Sequence, residues 1–228
     1  RLLGLGFITL CWSSGPTFAE VIELPGLNSE VEIIVDKWGV PHIYAESQQD
    51  VFFAQGFNAA RDRLWQMDLW RRQGLGQLAS ILGSRYVGRD AASRLFLYRG
   101  DMEQEWFRYG PSAKSIATAF TKGINAYLDY LETMPRKLPP EFQLLNYRPG
   151  RWAPEDVVRI RTHGLWRNAT SEILRAQILC QHGLGAASLW KRLEPYREPI
   201  IPEGLDPCSI PEDVLDVYRL ARAPLSFR

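Results

Sequence analysis

The residues best suited to acid–base chemistry are concentrated between Asp36 and Arg72, where a histidine, several aspartates and a run of arginines occur together. His42 is a candidate proton carrier, because an imidazole changes its protonation near neutral pH. It follows a proline inside an extended segment, however, and a lone histidine in that setting is more often structural than catalytic. Asp62 and Asp68 are six residues apart in a helical pattern, so they do not share a helix face, and we predict that both form salt bridges.

The rest of the sequence contains none of the compact motifs that mark a complete catalytic or metal site. GxSxG, Walker A, HExxH and CxxC patterns are absent, and the glycine pair Gly74 and Gly76 does not follow a strand as a dinucleotide loop requires. The three histidines (His42, His163 and His182) lie far apart without metal-ligand spacing, so we do not expect a zinc site. The residues alone therefore predict no catalytic group in this chain.

The composition is that of an ordinary globular protein. The 228 residues are 46% hydrophobic and 23% charged, enough for one or two domains with a sizeable core. The formal net charge of +1 gives no reason to expect a nucleic-acid or membrane-surface partner. Eight Trp, nine Tyr and ten Phe suit either a large core or a subunit interface.

The first 19 residues have the outline of a secretory signal peptide. Arg1 precedes an apolar run from Leu2 to Trp12, and small residues at Thr17 and Ala19 suit a cleavage site. The apolar run is too short to span a bilayer, and the alternative is a buried N-terminal helix. No initiator Met precedes it, so we expect the start to be incomplete. The mature domain would then comprise residues 20–228.

Export determines how the cysteines are interpreted. Cys11 would leave with the signal peptide, whereas Cys180 and Cys208 would remain in an oxidising compartment where a disulfide is stable. The sequence does not give their separation in space, so a disulfide and two buried thiols are both open interpretations.

The secondary-structure pattern begins with a hairpin over Val31–Ala45, centred on a type I turn at Asp36–Gly39. Ser47 and Asp50 have capping-box spacing and start a long helix that loosens or ends at Gly74 and Gly76. Its apolar face comprises Phe53, Phe57, Ala60, Leu64 and Met67. We interpret its charged flank, Arg61 to Arg72, as a solvated helix face.

Helical periodicity and breaker residues predict that the remainder is mostly helical. The expected helices are Asp90–Tyr98, Met102–Tyr109, Ser112–Leu131, Glu141–Leu145, Glu155–Trp166, Glu172–His182, Ala186–Leu193 and Pro211–Ala221. The fold class is therefore α+β and mostly helical, with a small strand element near the start.

Several long motifs resemble the penicillin acylase (penicillin amidase) family. Between Val31 and Pro202 the similar segments are DxWGVPHIYA at Asp36–Ala45, FFAQGF at Phe52–Phe57, ARDRLWQMDLWRR at Ala60–Arg72, GQLASILG at Gly76–Gly83, LPPEF at Leu138–Phe142, and YRP with WxPED within Tyr147–Asp156. Val35, Gln77 and Ser80 depart from the Arg, Arg and Glu that are usual in the family. These positions suit surface ion pairs, whose loss has little effect on stability.

The resemblance implies an N-terminal-nucleophile hydrolase with the αββα fold, made as a precursor that cuts itself into an α chain and a β chain. The nucleophile is then a Ser at the start of the β chain, and its own α-amine is the base. This sequence resembles the α chain only, so no catalytic residue is assigned to it. Ser226 is not offered as the nucleophile. The expected substrates are amides of hydrophobic acyl groups: β-lactam side chains, acyl-homoserine lactones or lipopeptides.

The resemblance also suggests binding roles for three residues. Glu172 matches a family position that binds a structural calcium ion together with β-chain ligands, although an acidic residue in the first turn of a helix also has a favourable dipole interaction. Leu165 and Trp166 match the α-chain contribution to the acyl pocket, with helix packing as the alternative. No organic cofactor is implied.

Two hypotheses follow for the whole chain. In the first, it is the α subunit of a bacterial periplasmic or secreted amidohydrolase, with a β chain from the same precursor as its partner. In the second, it is a truncated and catalytically inactive fragment that acts at most as a binding or scaffold module. Such a fragment would have an exposed apolar surface where the β chain would pack.

Overall fold

The computed structural model describes residues 20–165, 167–190, 195–197 and 200–227, with only the backbone for 161–165 and 167. The predicted signal peptide, residues 1–19, lies outside these ranges. Strands β1 (Glu32–Val35) and β2 (Pro41–Tyr44) pair antiparallel with Val35 opposite Pro41. The Gly39 N–H donates to Asp36 O at 3.0 Å, which closes the predicted turn. The hairpin prediction is confirmed.

The long helix α1 runs from Gln48 to Leu75, and local sequence signals determine both of its ends. The Ser47 hydroxyl accepts the Asp50 N–H at 3.0 Å, which satisfies one of the first free amides of the helix. At the other end Gly76 adopts a left-handed conformation (φ 65°), and Gln77 N–H donates to Arg72 O at 2.8 Å. Both predicted helix boundaries are confirmed.

Eight further helices follow among the described residues: α2 (Ala79–Leu82), α3 (Val87–Leu95), α4 (Met102–Tyr109), α5 (Ala113–Thr133), α6 (Pro140–Leu144), α7 (Pro154–Leu165), α8 (Arg167–Trp190) and α9 (Asp216–Arg222). Short 3-10 turns occupy residues 84–86, 135–137 and 207–209. The mostly helical class is confirmed. The boundaries differ at α3, which begins and ends three residues before the prediction, and at α9, which begins only after turns at residues 212–215.

Helix α8 covers the segment where we predicted two separate helices. It starts at Arg167, five residues before the predicted start at Glu172. Gly183 interrupts it with φ 77° and ψ −179°, values outside the helical region. The predicted break at Gly183 is therefore present, as a kink between two helical halves rather than as a loop.

The core forms where α1 and α5 cross with their backbones in close contact. A Cβ atom added to Gly56 would lie 1.9 Å from Phe120 O, and one added to Gly123 would lie 1.9 Å from Phe53 O. Only glycine permits this approach of the two backbones. The predicted apolar face of α1 is buried here from Phe53 to Leu64, with Met67 partly buried at its edge.

Cys180 and Cys208 form a disulfide across 28 residues, which resolves the two interpretations left open by the sequence. The bond ties α8 to the 3-10 turn at residues 207–209. Within the described ranges, no helix combines the length and the apolar character needed to cross a bilayer.

Candidate functional site

The residues predicted to bind substrate lie where α7 meets α8. Leu165 is the last residue of α7, and its side chain is outside the described part of the structure, as is all of Trp166. Their role in an acyl pocket therefore stays a prediction. Leu165 is part of α7, so the contacts that hold α7 also determine the position of the Leu165 backbone.

Glu172 lies in the first half of α8, and its side chain is exposed. In the part of the chain with described side chains, no group of three or more His, Cys, Asp or Glu residues is close enough to hold a metal ion. Calcium takes six to eight oxygen ligands, so Glu172 alone does not form a calcium site. Its predicted role stays a prediction.

The structure does bring four charged residues together between α1 and α7: Asp68, Arg71, Arg72 and Asp156, here called the α1–α7 charged cluster. Arg71 Nη1 donates to Asp156 Oδ2 at 3.1 Å, and Arg72 Nε donates to Asp68 Oδ2 at 2.7 Å. Asp68 is completely buried, and Arg71 and Asp156 are each 7% exposed. The predicted salt bridge of Asp68 is confirmed. The prediction that this helix face is exposed to solvent is wrong for Asp68 and Arg71, because α7 and the preceding loop cover them.

The same cluster holds the loop that leads into α7. Arg71 Nη1 donates to Arg151 O at 2.7 Å, and Gly150 N–H donates to Asp68 Oδ1 at 3.3 Å. A Cβ atom on Gly150 would lie 2.3 Å from Arg71 Nη2, so a glycine is needed for the guanidinium to pass. Asp156 Oδ2 also accepts Ala153 N–H at 3.0 Å. The cluster therefore fixes the start of the helix that ends at Leu165.

Two aromatic rings lie over the arginines of this cluster. The Arg71 guanidinium is 5.4 Å from the Trp152 ring centroid, and that of Arg72 is 5.2 Å from the Tyr147 ring centroid. Burial, followed by the negative charge of Asp68, raises the pKa of Tyr147. Its hydroxyl therefore stays neutral at physiological pH and does not act as a general base.

His42 belongs to the turn of the hairpin. Its Nε2 lies 3.2 Å from Asp36 Oδ2, while Asp36 Oδ1 accepts the N–H groups of Trp38 at 2.8 Å and Val40 at 2.9 Å. The hydrogen bond from Val40 N–H and then that from His42 hold the pKa of Asp36 below its ordinary value. His42 is half-exposed and bonded to a structural carboxylate, which supports the structural interpretation over the catalytic one.

Two aspartates have structural parts that were not predicted from the sequence. Asp156 is a position of the WxPED motif, and an acidic residue in the first turn after Pro154 is a recognisable helix-start signal. Asp90 was placed in a helix without a role. Its carboxylate accepts Leu78 N–H at 2.9 Å and Ala79 N–H at 2.7 Å, which caps α2 from twelve residues away.

The hairpin has large hydrophobic side chains that the described residues leave exposed, on both faces of the sheet and in the turn. These side chains are 46–79% exposed, namely Ile34, Val35, Trp38, Val40 and Tyr44. In the described part of the chain the sheet has two strands only. A two-stranded sheet is marginally stable in water by itself, so its exposed apolar side chains suit contact with another polypeptide.

Comparison with known proteins identifies the class to which this fold and these motifs belong. A model of the penicillin amidase family matches residues 30–207. The chain belongs to the penicillin amidase family.

Three relatives show the extent of the similarity. The chain is 33% identical to penicillin G acylase of Escherichia coli over 64% of this chain and 18% of that protein. It is 34% identical to the penicillin acylase 2 proenzyme of Pseudomonas sp. (strain SE83) over 66% and 19%, and 31% identical to the acyl-homoserine lactone acylase QuiP of Pseudomonas aeruginosa over 69% and 19%. The chain thus spans about a fifth of the length of the curated relatives it matches.

A solved structure gives the same result at the level of the fold. The thermostable penicillin G acylase from Alcaligenes faecalis superposes with a TM-score of 0.58 at 27% identity. The match covers 76% of this chain and 97% of that chain. The mostly helical architecture is therefore that of a chain from a penicillin acylase.

Proposed function

We propose that this chain is the α-chain segment of an amidohydrolase that cleaves amide bonds of hydrophobic acyl groups. The nucleophilic Ser begins a β chain derived from the same precursor. The proposal is carried by two coverage values. The chain matches nearly all of one chain of the solved acylase, but only about a fifth of the length of the curated relatives. One of those relatives is named as a proenzyme, which supports a precursor.

The uncovered hairpin supports a β-chain partner. Its exposed apolar side chains lie on a two-stranded sheet, and burial of such side chains contributes about 25 cal/mol for each Å² removed from water. The β chain would cover this surface and stabilise the sheet. The partner is therefore proposed to act as a structural complement as well as the source of the nucleophile.

The proposed reaction follows from the combination of one nucleophile and one base in a single residue. The Ser hydroxyl attacks the amide carbonyl while the α-amine of the same Ser takes its proton, and the amine of the substrate leaves. Water then releases the acid from the acyl-enzyme. Nucleophile and base both come from the protein, so no organic cofactor is required.

This chain would contribute the wall of the acyl pocket. The α1–α7 charged cluster holds α7, and Leu165 and Trp166 at the α7–α8 junction would contact the apolar acyl group. Glu172 would supply one oxygen ligand to a structural calcium ion shared with the β chain. The names of the relatives cover penicillins and acyl-homoserine lactones, and both kinds of molecule carry an acyl group on an amide nitrogen.

Export to the periplasm or the medium completes the proposal. The Cys180–Cys208 disulfide supports it, because disulfides persist mainly in oxidising compartments. Residues 1–19 would direct the export and be removed.

Expression of the complete precursor tests the proposal. Mass spectrometry should find two chains, the smaller one containing residues 20–228, and the purified protein should release acid from phenylacetyl amides or from long-chain acyl-homoserine lactones. A precursor in which the first Ser of the β chain is replaced by Ala should stay uncut and inactive. A wild-type protein that stays in one piece and hydrolyses neither substrate class would overturn the proposal in favour of an inactive binding module.

A further inference from the structure

A short segment at residues 224–227, here called the strap, crosses from α9 back over α3 and α1. Two donors bind the carbonyl oxygen of Ser226: Tyr86 Oη at 2.7 Å and Arg85 Nη2 at 3.2 Å. Arg89 Nη1 donates to Pro224 O at 3.4 Å. Side chains from α3 and the adjoining 3-10 turn thus bind the main chain of the strap, and the hydroxyl of Ser226 has no part in these contacts.

The strap also makes apolar contacts on its other side. Leu225 packs against the buried cluster of Leu69, Leu78 and Tyr86. The Phe227 ring lies 5.5 Å from the Trp65 ring. The strap is therefore held by hydrogen bonds to its backbone and by apolar packing of its side chains, and both kinds of contact reach α1 or its neighbours.

The burial of Arg89 next to the strap has a free-energy cost. It is 5% exposed, and burial lowers its pKa. The carboxylate of the neighbouring Asp90 is bonded to the N–H groups of Leu78 and Ala79. Burial of a guanidinium is unfavourable unless its N–H groups are bonded, and Arg89 Nη1 is bonded to the strap.

We infer that the strap is a positioning device for the cleavage of the precursor, an inference that rests on the proposed function. By fixing residues 224–227 against α1 and α3, the fold sets the point from which the precursor continues toward the bond that is cut. Cleavage adds one water to that peptide bond and leaves a new carboxylate and a new α-amine. Tyr86, Arg89 and Phe227 take no part in this step and are positioning residues.

The expected effect follows from tether length. Release of the strap lengthens the flexible segment between α9 and the bond that is cut. Each doubling of such a segment lowers the probability that its ends meet by roughly threefold. We therefore expect release of the strap to slow cleavage, by about threefold for each doubling of that segment, with no effect on turnover once cleavage is complete.

The test compares the wild-type precursor with three variants of it. Tyr86→Phe keeps the buried ring and removes only the donor to Ser226 O, and combining it with Phe227→Ala removes the ring contact as well. Tyr98→Phe is the matched control, since Tyr98 Oη donates to the main-chain carbonyl of Asp101, three residues along the chain, and not to the strap. Cleavage is followed by gel electrophoresis and mass spectrometry after a short induction, and thermal midpoints are recorded for each version.

The double variant should be cut more slowly than the wild type, while Tyr98→Phe is cut at the wild-type rate and all cleaved enzymes share one kcat/KM. Equal cleavage rates in the wild type and the three variants would overturn the inference and leave the proposed function intact. A lower thermal midpoint without slower cleavage would also overturn it, because the strap would then be only a structural contact. A wild-type precursor that is never cut overturns both proposals.

Discussion

Replacing Asp68 with Asn should be one of the most damaging polar substitutions in the chain. Asp68 has no exposed surface, and its oxygens accept Arg72 Nε at 2.7 Å, Gly150 N–H at 3.3 Å and Arg71 Nη2 at 3.5 Å. Asn has the same shape, so no cavity forms and the loss is that of the charge. Removing one partner of a buried ion pair costs about 3–5 kcal/mol. Each kcal/mol lowers the melting temperature of a domain of this size by about 2–4 °C, so a fall of roughly 10 °C is expected.

The matched control for this substitution is Asp62→Asn on the same helix. The Asp62 side chain is 46% exposed, and its carboxylate lies 3.5 Å from Arg61 Nε. An exposed pair of this kind contributes about 0–1 kcal/mol, so the control should shift the melting temperature by at most a few degrees. Circular dichroism melts and urea titrations of both variants provide the measurement. Equal small shifts would refute the conclusion that the α1–α7 charged cluster holds α7 in place.

Three further outcomes are expected. Gly123→Ala would place a methyl group 1.9 Å from Phe53 O and should lower the free energy of unfolding by about 1–3 kcal/mol or more, whereas an unchanged urea midpoint would contradict the close helix crossing. The Asn28 N–H donates to Asp50 and lowers its pKa, so this carboxylate stabilises the fold above about pH 4, and the stabilisation is lost as the pH falls. Melting temperatures measured over a series of acidic pH values should therefore depend less on pH in Asp50→Asn than in the wild type. Cys208→Ser should cost about 3–4 kcal/mol, and a reductant should destabilise the wild type but not the variant.

The elements predicted correctly from the sequence are those whose signals are local. A turn with Asp first and Gly last predicts the hairpin, and the Gly39 φ of 79° shows why glycine suits that position. Ser47 marks the start of α1 because its hydroxyl reaches an amide only three residues away. Apolar residues with helical spacing predict the buried face of α1 because a helix repeats every 3.6 residues.

The features that escaped the sequence depend on residues far apart in the chain. Asp62 and Asp68 have the same chemistry and similar local sequence, yet one is exposed and the other buried because Gly150 and Asp156, more than 80 residues away, cover only the second. The same reason applies to the strap, whose carbonyls meet donors about 140 residues earlier. No local pattern carries such information.

The stretch with the most recognisable motifs, Asp36–Arg72, is best understood as the part that positions the site rather than the part that reacts. His42 is bonded to the turn aspartate, Asp68 to two arginines, and Arg71 to the loop before α7. A carboxylate whose oxygens already accept several N–H groups would lose these hydrogen bonds on binding a substrate proton, and a guanidinium has hydrogen-bond donors only. The polar groups of Asp36–Arg72 therefore stabilise α7 and the hairpin. Helix α7 is proposed to form part of the acyl pocket, and the hairpin is proposed to contact the β chain.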